Sequence, residues 1–182
     1  MLFYLIFLKY LVNQILSLSL LKIPFSKRVY QDLMDNLFNI DIITNVSLGN
    51  PPQKVELSFS FHSESILIKG SLFNSKYSEK KSINSKILNI SGNTFYYNQY
   101  YKTEFINDDF IFETIDSNNK ISTIKLENCL FQLINRTSIG NKINSGIIGF
   151  RIFSNLEKYN DNFIKQIYKY HTIKDKNFLL NM

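Results

Sequence analysis

The chain holds a single cysteine, Cys129, so no disulfide can form within it and its stability has to come from packing. Cys129 lies in Leu126-Glu127-Asn128-Cys129-Leu130-Phe131 and reads as a small buried hydrophobe, not as a nucleophile. Dense Lys/Arg runs interleaved with aromatics are also missing. The net charge of +6 is spread over separated lysines such as Lys76, Lys86, Lys102 and Lys125, which suits a solvated basic surface and not a nucleic-acid groove. Metal-ligand spacing is absent as well. Asp108 and Asp109 are adjacent, but consecutive strand residues point to opposite faces and no further ligands follow at EF-hand spacing. We expect neither a metal nor a cofactor.

An uninterrupted membrane span is lacking too. Residues 1–19, MLFYLIFLKYLVNQILSLS, are strongly apolar, yet Lys9, Asn13 and Gln14 break the run, and a stable span needs about 20 predominantly apolar residues. The stretch reads as a secretory signal peptide with a small-residue end near Ser17-Leu18-Ser19, with an uncleaved anchor and a buried helix as the alternatives. What the chain has in abundance is aromatic and aliphatic side chains. With 16 Phe, 11 Tyr and 45% hydrophobic residues, it is a packed globular protein and not a disordered one. Its 182 residues suit one domain, and at that size roughly 70% of the unfolded surface is buried.

The most informative stretch is Ile42 to Ser71. Ile42, Thr44, Val46 and Leu48 alternate with their neighbours as in a half-buried strand, and Gly49-Asn50-Pro51-Pro52 ends it. Val55, Leu57 and Phe59 form a second alternating run that enters a polar loop, Ser60 to Ser65. Ile66-Leu67-Ile68 resumes as an apolar strand, closed by Lys69-Gly70-Ser71.

This order resembles the N-terminal lobe of the pepsin-like aspartic peptidases, which carries I-G-x-P-P-Q, a hydrophobic strand into F-D-T-G-S-S, and then N-L-W-V-P-S. Leu48-Gly49-Asn50-Pro51-Pro52-Gln53 matches the first motif, and Phe59 to Glu64 stands at the catalytic loop. A second match is Asn144-Ser145-Gly146-Ile147-Ile148-Gly149-Phe150, which resembles D-G-I-L-G-L with Ser145 in place of Asp. The catalytic Asp, however, falls on Ser60, the Thr on Phe61 and the Gly on His62, while the following Ser survives as Ser63. These enzymes hold a water between two carboxylates that share one proton, and a serine hydroxyl cannot take that proton at acidic pH. Ser60, His62 and Glu64 also invite a hydrolytic reading. Alternate residues on one strand run parallel without converging, and this argues against such a set.

The resemblance organises the rest of the chain. Leu20 to Arg28 contains Lys22-Ile23-Pro24-Phe25, similar to the start of a zymogen prosegment, with a plain linker as the alternative. Leu72 to Lys86 stands at a surface excursion. Ile87 to Ile90 and Thr103 to Ile106 are expected as short strands flanking a tyrosine-dense tip that resembles the family's flap, with Tyr97 at the substrate-binding tyrosine. Tyr96, Tyr97, Tyr100 and Tyr101 form either an aromatic recognition surface or ordinary strand packing. Asp109 matches the Y-D-x-V position, and Ile121 to Ile134 reads as a pair of strands. Phe163, Ile167 and Tyr170 predict a helix with one apolar stripe, capped by Asn160 or Asp161. Asn45, Asn89 and Asn135 head glycosylation tripeptides.

The expectation is therefore an all-β fold, a single pepsin-like lobe built as an acid-protease β-barrel or sandwich with one or two short helices. Its parts are a signal peptide (1–19), a short basic prosegment-like linker (20–36) and the lobe (37–182). The resemblance implies a protein that is non-catalytic because Ser60 replaces Asp and that binds peptide or protein ligands, while the apolar leader points to secretion and the scattered charge to no nucleic-acid partner. Pairing with a second lobe or as a homodimer is open. The alternative is an aspartic endopeptidase whose second lobe lies outside this sequence.

Overall fold

The computed structural model describes residues 22–28, 41–73, 75–96, 99–115, 119–137, 145–151 and 162–170. Eight strands and one helix run through them: β1 (Ser26–Lys27), β2 (Ile42–Leu48), β3 (Gln53–Ser60), β4 (Leu67–Lys69), β5 (Lys86–Tyr96), β6 (Gln99–Ile115), β7 (Ile121–Thr137), β8 (Gly146–Gly149) and α1 (Phe163–Tyr170). The expected all-β class is what forms. Six strands close into a barrel in the order β2-β3-β8-β4-β7-β6, and β6 returns to pair with β2 through Val46↔Phe112 and Leu48↔Phe110. Closure removes the exposed edges that six open strands would leave.

Gly49 makes the β2–β3 hairpin at φ +77, where a β-carbon would be strained, and the Asn50–Pro51 peptide beside it is cis. From this turn β2 and β3 pair antiparallel from Leu48↔Gln53 to Ile43↔Ser58. β1 adds to the first half of β2, and β5 adds to β6. The prosegment-like segment is thus tied to the barrel. Thr44 Oγ1 donates to the Pro24 carbonyl at 2.8 Å, and Arg28 bridges Asp41 at 3.1 Å and Glu56.

Two sequence expectations change here. Ile121 to Ile134 is not a pair of strands but part of one 17-residue strand, β7, because Asn128 adopts left-handed φ (+53) and absorbs a bulge opposite Asp108–Phe110 without ending the ladder. The expected short strands around the tyrosine-rich tip are likewise long, and Tyr96↔Gln99 pairing carries the hairpin almost to its end. Bulges let strands this long bend around a closed barrel.

The barrel interior is filled by side chains such as Leu48, Leu57, Ile68, Ile106, Phe110 and Phe131, all fully buried. Helix α1 packs on this core through Phe163 and Ile167. Phe163 meets Phe112, Phe110 and Phe150 with ring centroids 5.4, 5.6 and 5.9 Å apart, and burying such a ring stabilises by about 1.5–3 kcal/mol. Its cap is Asn162, one residue beyond the expected positions, whose Oδ1 accepts the Lys165 N–H at 3.1 Å. Gln166 pairs in both directions with the Leu130 backbone at 2.7 Å, standing in for a neighbouring strand where the β4 pairing of β7 has not yet begun.

Tyr77 also departs from expectation. It lies in the polar excursion after β4, yet its ring is fully buried against Phe131. The phenol can enter the core because its hydroxyl has a partner there, the Asp108 carboxylate at 2.7 Å.

Candidate functional site

Ser60 is the last residue of β3 and is 4% exposed. Two segments separated by nearly ninety positions meet there. β8 lies between β3 and β4, parallel to the first through Ser58↔Ile147 and Ser60↔Gly149 and antiparallel to the second through Leu67↔Ile147. The loop from Phe61 to Ile66 therefore has to pass over the end of β8, and the backbone holds it there. Phe150 N–H donates to the Ser60 carbonyl at 2.8 Å, Arg151 N–H to the Ser63 carbonyl at 3.0 Å, and Gly149 N–H to the Ser65 carbonyl at 3.1 Å.

Side chains complete the cradle. Ser60 Oγ accepts the His62 N–H at 3.2 Å, and Ser63 Oγ accepts the Ser65 N–H at 3.3 Å, so both hydroxyls brace turns of the loop itself. Asn162 Nδ2 donates to the carbonyls of Glu64 (2.8 Å) and Arg151 (3.1 Å), joining the helix cap to the loop. Gln132 on β7 donates from Nε2 to Ser65 Oγ at 2.9 Å, while its Oε1 accepts from Thr103 at 2.6 Å and Thr94 at 3.0 Å. Gln132 and Asn162 were invisible to sequence reasoning. Neither stands in a motif, and both matter because they link the loop to elements far away in sequence.

The chemistry available at Ser60 is limited. Its Oγ engages the backbone of residue 62, and the hydrolytic set Ser60–His62–Glu64 fails for a reason other than the one inferred from strand alternation. β3 stops at Ser60, so the three residues do not share a strand; Ser60 is buried while His62 is exposed. Phe61 is 49% exposed, with its ring 5.8 Å from that of Phe150. The position expected to bear a carboxylate carries a buried hydroxyl already engaged in the loop.

Asp108 and Asp109 are both buried, contrary to an alternating strand, and they lie where the β6–β7 register shifts, Asp109 facing the bulge that β7 makes at Glu127 and Asn128. Each is fully employed in structure. Asp108 accepts from Tyr77, from Ser82 at 2.8 Å and from the Asp109 N–H at 2.8 Å, while Asp109 accepts from Asn84 at 2.7 Å and Lys125 at 3.0 Å. Among the described residues no group of three or more His, Cys, Asp or Glu could hold a metal ion. Cys129 is buried in the core.

Tyr97 lies outside the described residues. Of its neighbours, Tyr96 and Tyr101 are buried in a small cluster with Leu67, Ile134 and Ile147, whereas Tyr100 is exposed and donates to Asn93 Oδ1 at 2.6 Å. Strand packing thus accounts for two of the four tyrosines. The prosegment-like stretch is described from Lys22 to Arg28, and residues 1–19 lie outside the described residues.

Of the three glycosylation tripeptides, Asn45 and Asn89 are exposed, and Asn135 is half-buried with its amide donating to Glu104 at 3.3 Å. A depression of about 390 Å³ opens on the outer barrel wall beside Asn45, lined by Lys54, Glu56, Lys76 and Glu113. It shares no residue with the Ser60 loop. Among the described residues no helix is long and apolar enough to cross a membrane. Neither a protein-family model nor a curated protein matches this chain.

Proposed function

We propose that the chain is a non-catalytic relative of the pepsin-like aspartic peptidases, a single lobe that keeps the architecture of the catalytic loop without its acid and serves in binding peptide or protein ligands outside the cell. The observation that carries this reading is the meeting of the two motif segments. Leu48 to Gln53 forms the hairpin that leads β3 into the Ser60 loop, and Gly146 to Phe150 forms the strand on which that loop rests. The two segments that carry the resemblance build one site.

The loss of acid is chemical. General-base catalysis at acidic pH needs a group that is ionised there, and a hydroxyl is not. Glu64 is the one carboxylate within residues 60–66, but its backbone is held by Asn162 four residues beyond the required position.

The test is cleavage of an unfolded protein substrate by the purified chain between pH 3 and pH 7, beside Ser60→Ala. No cleavage by either supports the proposal. Acid cleavage by both would sink it and reveal an unrecognised carboxylate, as the endopeptidase alternative requires. Cleavage lost only in Ser60→Ala would instead establish a serine mechanism.

A further inference from the structure

We propose that the chain pairs with a second copy of itself along the outer edge of β5, the two strands running antiparallel about a two-fold axis at Asn93. The pairing follows from the sheet and stands apart from the kinship proposed above.

Barrel closure leaves β5 outside. It is the last strand in the sheet order, and among the described residues β6 is its only strand partner. Each strand residue carries one backbone donor and one acceptor, and along an end strand every second residue turns both away from the sheet. The two halves of β5 present that edge differently. Between Ile87↔Ile106 and Ser91↔Glu104 the ladder is irregular, Asn89 has left-handed φ (+55), and Lys86 stands at the start of the strand. Bulges and lysines are the features that keep an edge from pairing. From Ser91↔Glu104 to Tyr96↔Gln99 the register is unbroken, and Ser91-Gly92-Asn93-Thr94-Phe95-Tyr96 contains neither charge nor proline. This half is open to another strand.

The faces of the strand restrict how a second copy can meet it. Thr94 looks inward, donating to Gln132 Oε1 at 3.0 Å, and a β-carbon at Gly92 would stand 2.7 Å from Thr103 Oγ1, so positions 92 and 94 share the inner face. Ser91 and Asn93 are exposed on the other, where Tyr100 donates to Asn93 Oδ1 at 2.6 Å. Directly opposed residues of an antiparallel pair lie on one face. An axis at Asn93 satisfies this, since it sets Gly92 opposite Thr94 of the second copy and Ser91 opposite Phe95, all within the regular run.

A second copy suits this edge better than a flexible peptide does. A peptide loses backbone entropy at each residue that it orders, whereas β5 is already held extended by β6 on its other side. The basic charge of the chain does not oppose the pairing. Lys102 lies opposite Asn93 on β6, so its two copies stand three strand spacings apart, about 14 Å. That exceeds the Debye length of about 8 Å at physiological salt.

The experiment is sedimentation of the purified chain from micromolar to millimolar concentration, with Asn93→Lys and Ser91→Lys beside wild type and Ile121→Lys, on the exposed start of β7, as the control. We expect a reversible monomer–dimer equilibrium. Asn93→Lys sets two lysines against each other at the axis and should raise the dissociation constant about tenfold or more. Ile121→Lys should leave it unchanged. All three side chains are exposed, so circular dichroism should show the wild-type β signal in each variant. If Asn93→Lys loses that signal, Ser91→Lys, at the neighbouring outward position, carries the same test. A wild-type chain that stays monomeric overturns the proposal, as does a dimer that the folded edge variants leave intact or that Ile121→Lys weakens equally.

Discussion

Gly149 and Ser63 are packed backbone against backbone, so that a β-carbon built at 149 would stand 2.5 Å from the Ser63 carbonyl oxygen. The loop after Ser60 can lie on β8 only because nothing projects from that position. Gly149→Ala should destabilise the protein by about 1–3 kcal/mol, the usual cost of overpacking. Urea unfolding would read it as a lower midpoint, and an unchanged midpoint would show that the loop can lift at no cost.

Gln132 holds the same loop from the side. Gln132→Leu keeps most of the volume but leaves Thr103 Oγ1, 1% exposed, without the 2.6 Å acceptor it has now, and removes the donor to Ser65. A buried polar group stranded in this way costs about 1–3 kcal/mol. Hydrogen exchange should show faster exchange at residues 61–66 in this variant than in wild type.

Asn162 joins helix and loop, since one amide caps α1 and donates to Glu64 and Arg151. Asn162→Asp keeps the capping oxygen and loses the two donated bonds, whereas Asn162→Ala loses everything. We expect the alanine variant to lose about 1–2 kcal/mol from the cap alone. The aspartate variant should retain helical signal while its loop exchanges faster, and equal helix loss in both would show that the cap is not what holds α1.

Tyr77 and Asp108 set an alkaline limit. Burial, followed by the hydrogen bond to Asp108, holds the Tyr77 phenol well above its ordinary value. The stabilisation is fully present below the unfolded phenol's value of about 10 and is lost as pH rises beyond it. Tyr77→Phe should cost about 1.5–3 kcal/mol at neutral pH, because a charged acceptor loses its donor. It should also flatten the fall in thermal stability above pH 10.

Glu79 sets an acid limit. Burial alone would raise its carboxyl, but hydrogen bonds from Ser71, at 2.7 Å from the hydroxyl and 3.2 Å from the backbone N–H, outweigh this and hold it below its ordinary 4.5. Its stabilisation is present above 4.5 and is lost as pH falls through the lowered value. Glu79→Gln should therefore make the melting temperature less steep between pH 5 and pH 3. A slope equal to that of wild type would assign the acid sensitivity to other carboxylates.

Much of the fold was legible without coordinates. The alternation in Ile42–Leu48 and Val55–Phe59, the stop at Gly49 to Pro52 and the stripe of Phe163 and Ile167 are local patterns, and each element formed where its pattern lay. Strand lengths were not legible. Ile87 to Ile90 reads as a short strand and Ile121 to Ile134 as two, but pairing with β6 on either side of Asn89 and of Asn128 carries both strands through left-handed bulges as single long ladders. Tyr77 looks like part of a surface loop until Asp108 supplies a buried partner for its hydroxyl.

What the sequence determined by itself is what side chains and short spacing decide: an all-β chain, a hairpin at Gly49, a serine at position 60 and one buried cysteine. What tertiary structure decided is which distant groups converge on Ser60. β8 enters between β3 and β4, and Gln132 and Asn162 arrive from β7 and the helix cap. Periodicity reports the face a residue buries but not the strand that will lie beside it. The barrel pairs strands across nearly ninety residues, as in Ser58↔Ile147, and only the assembled sheet fixes those partners.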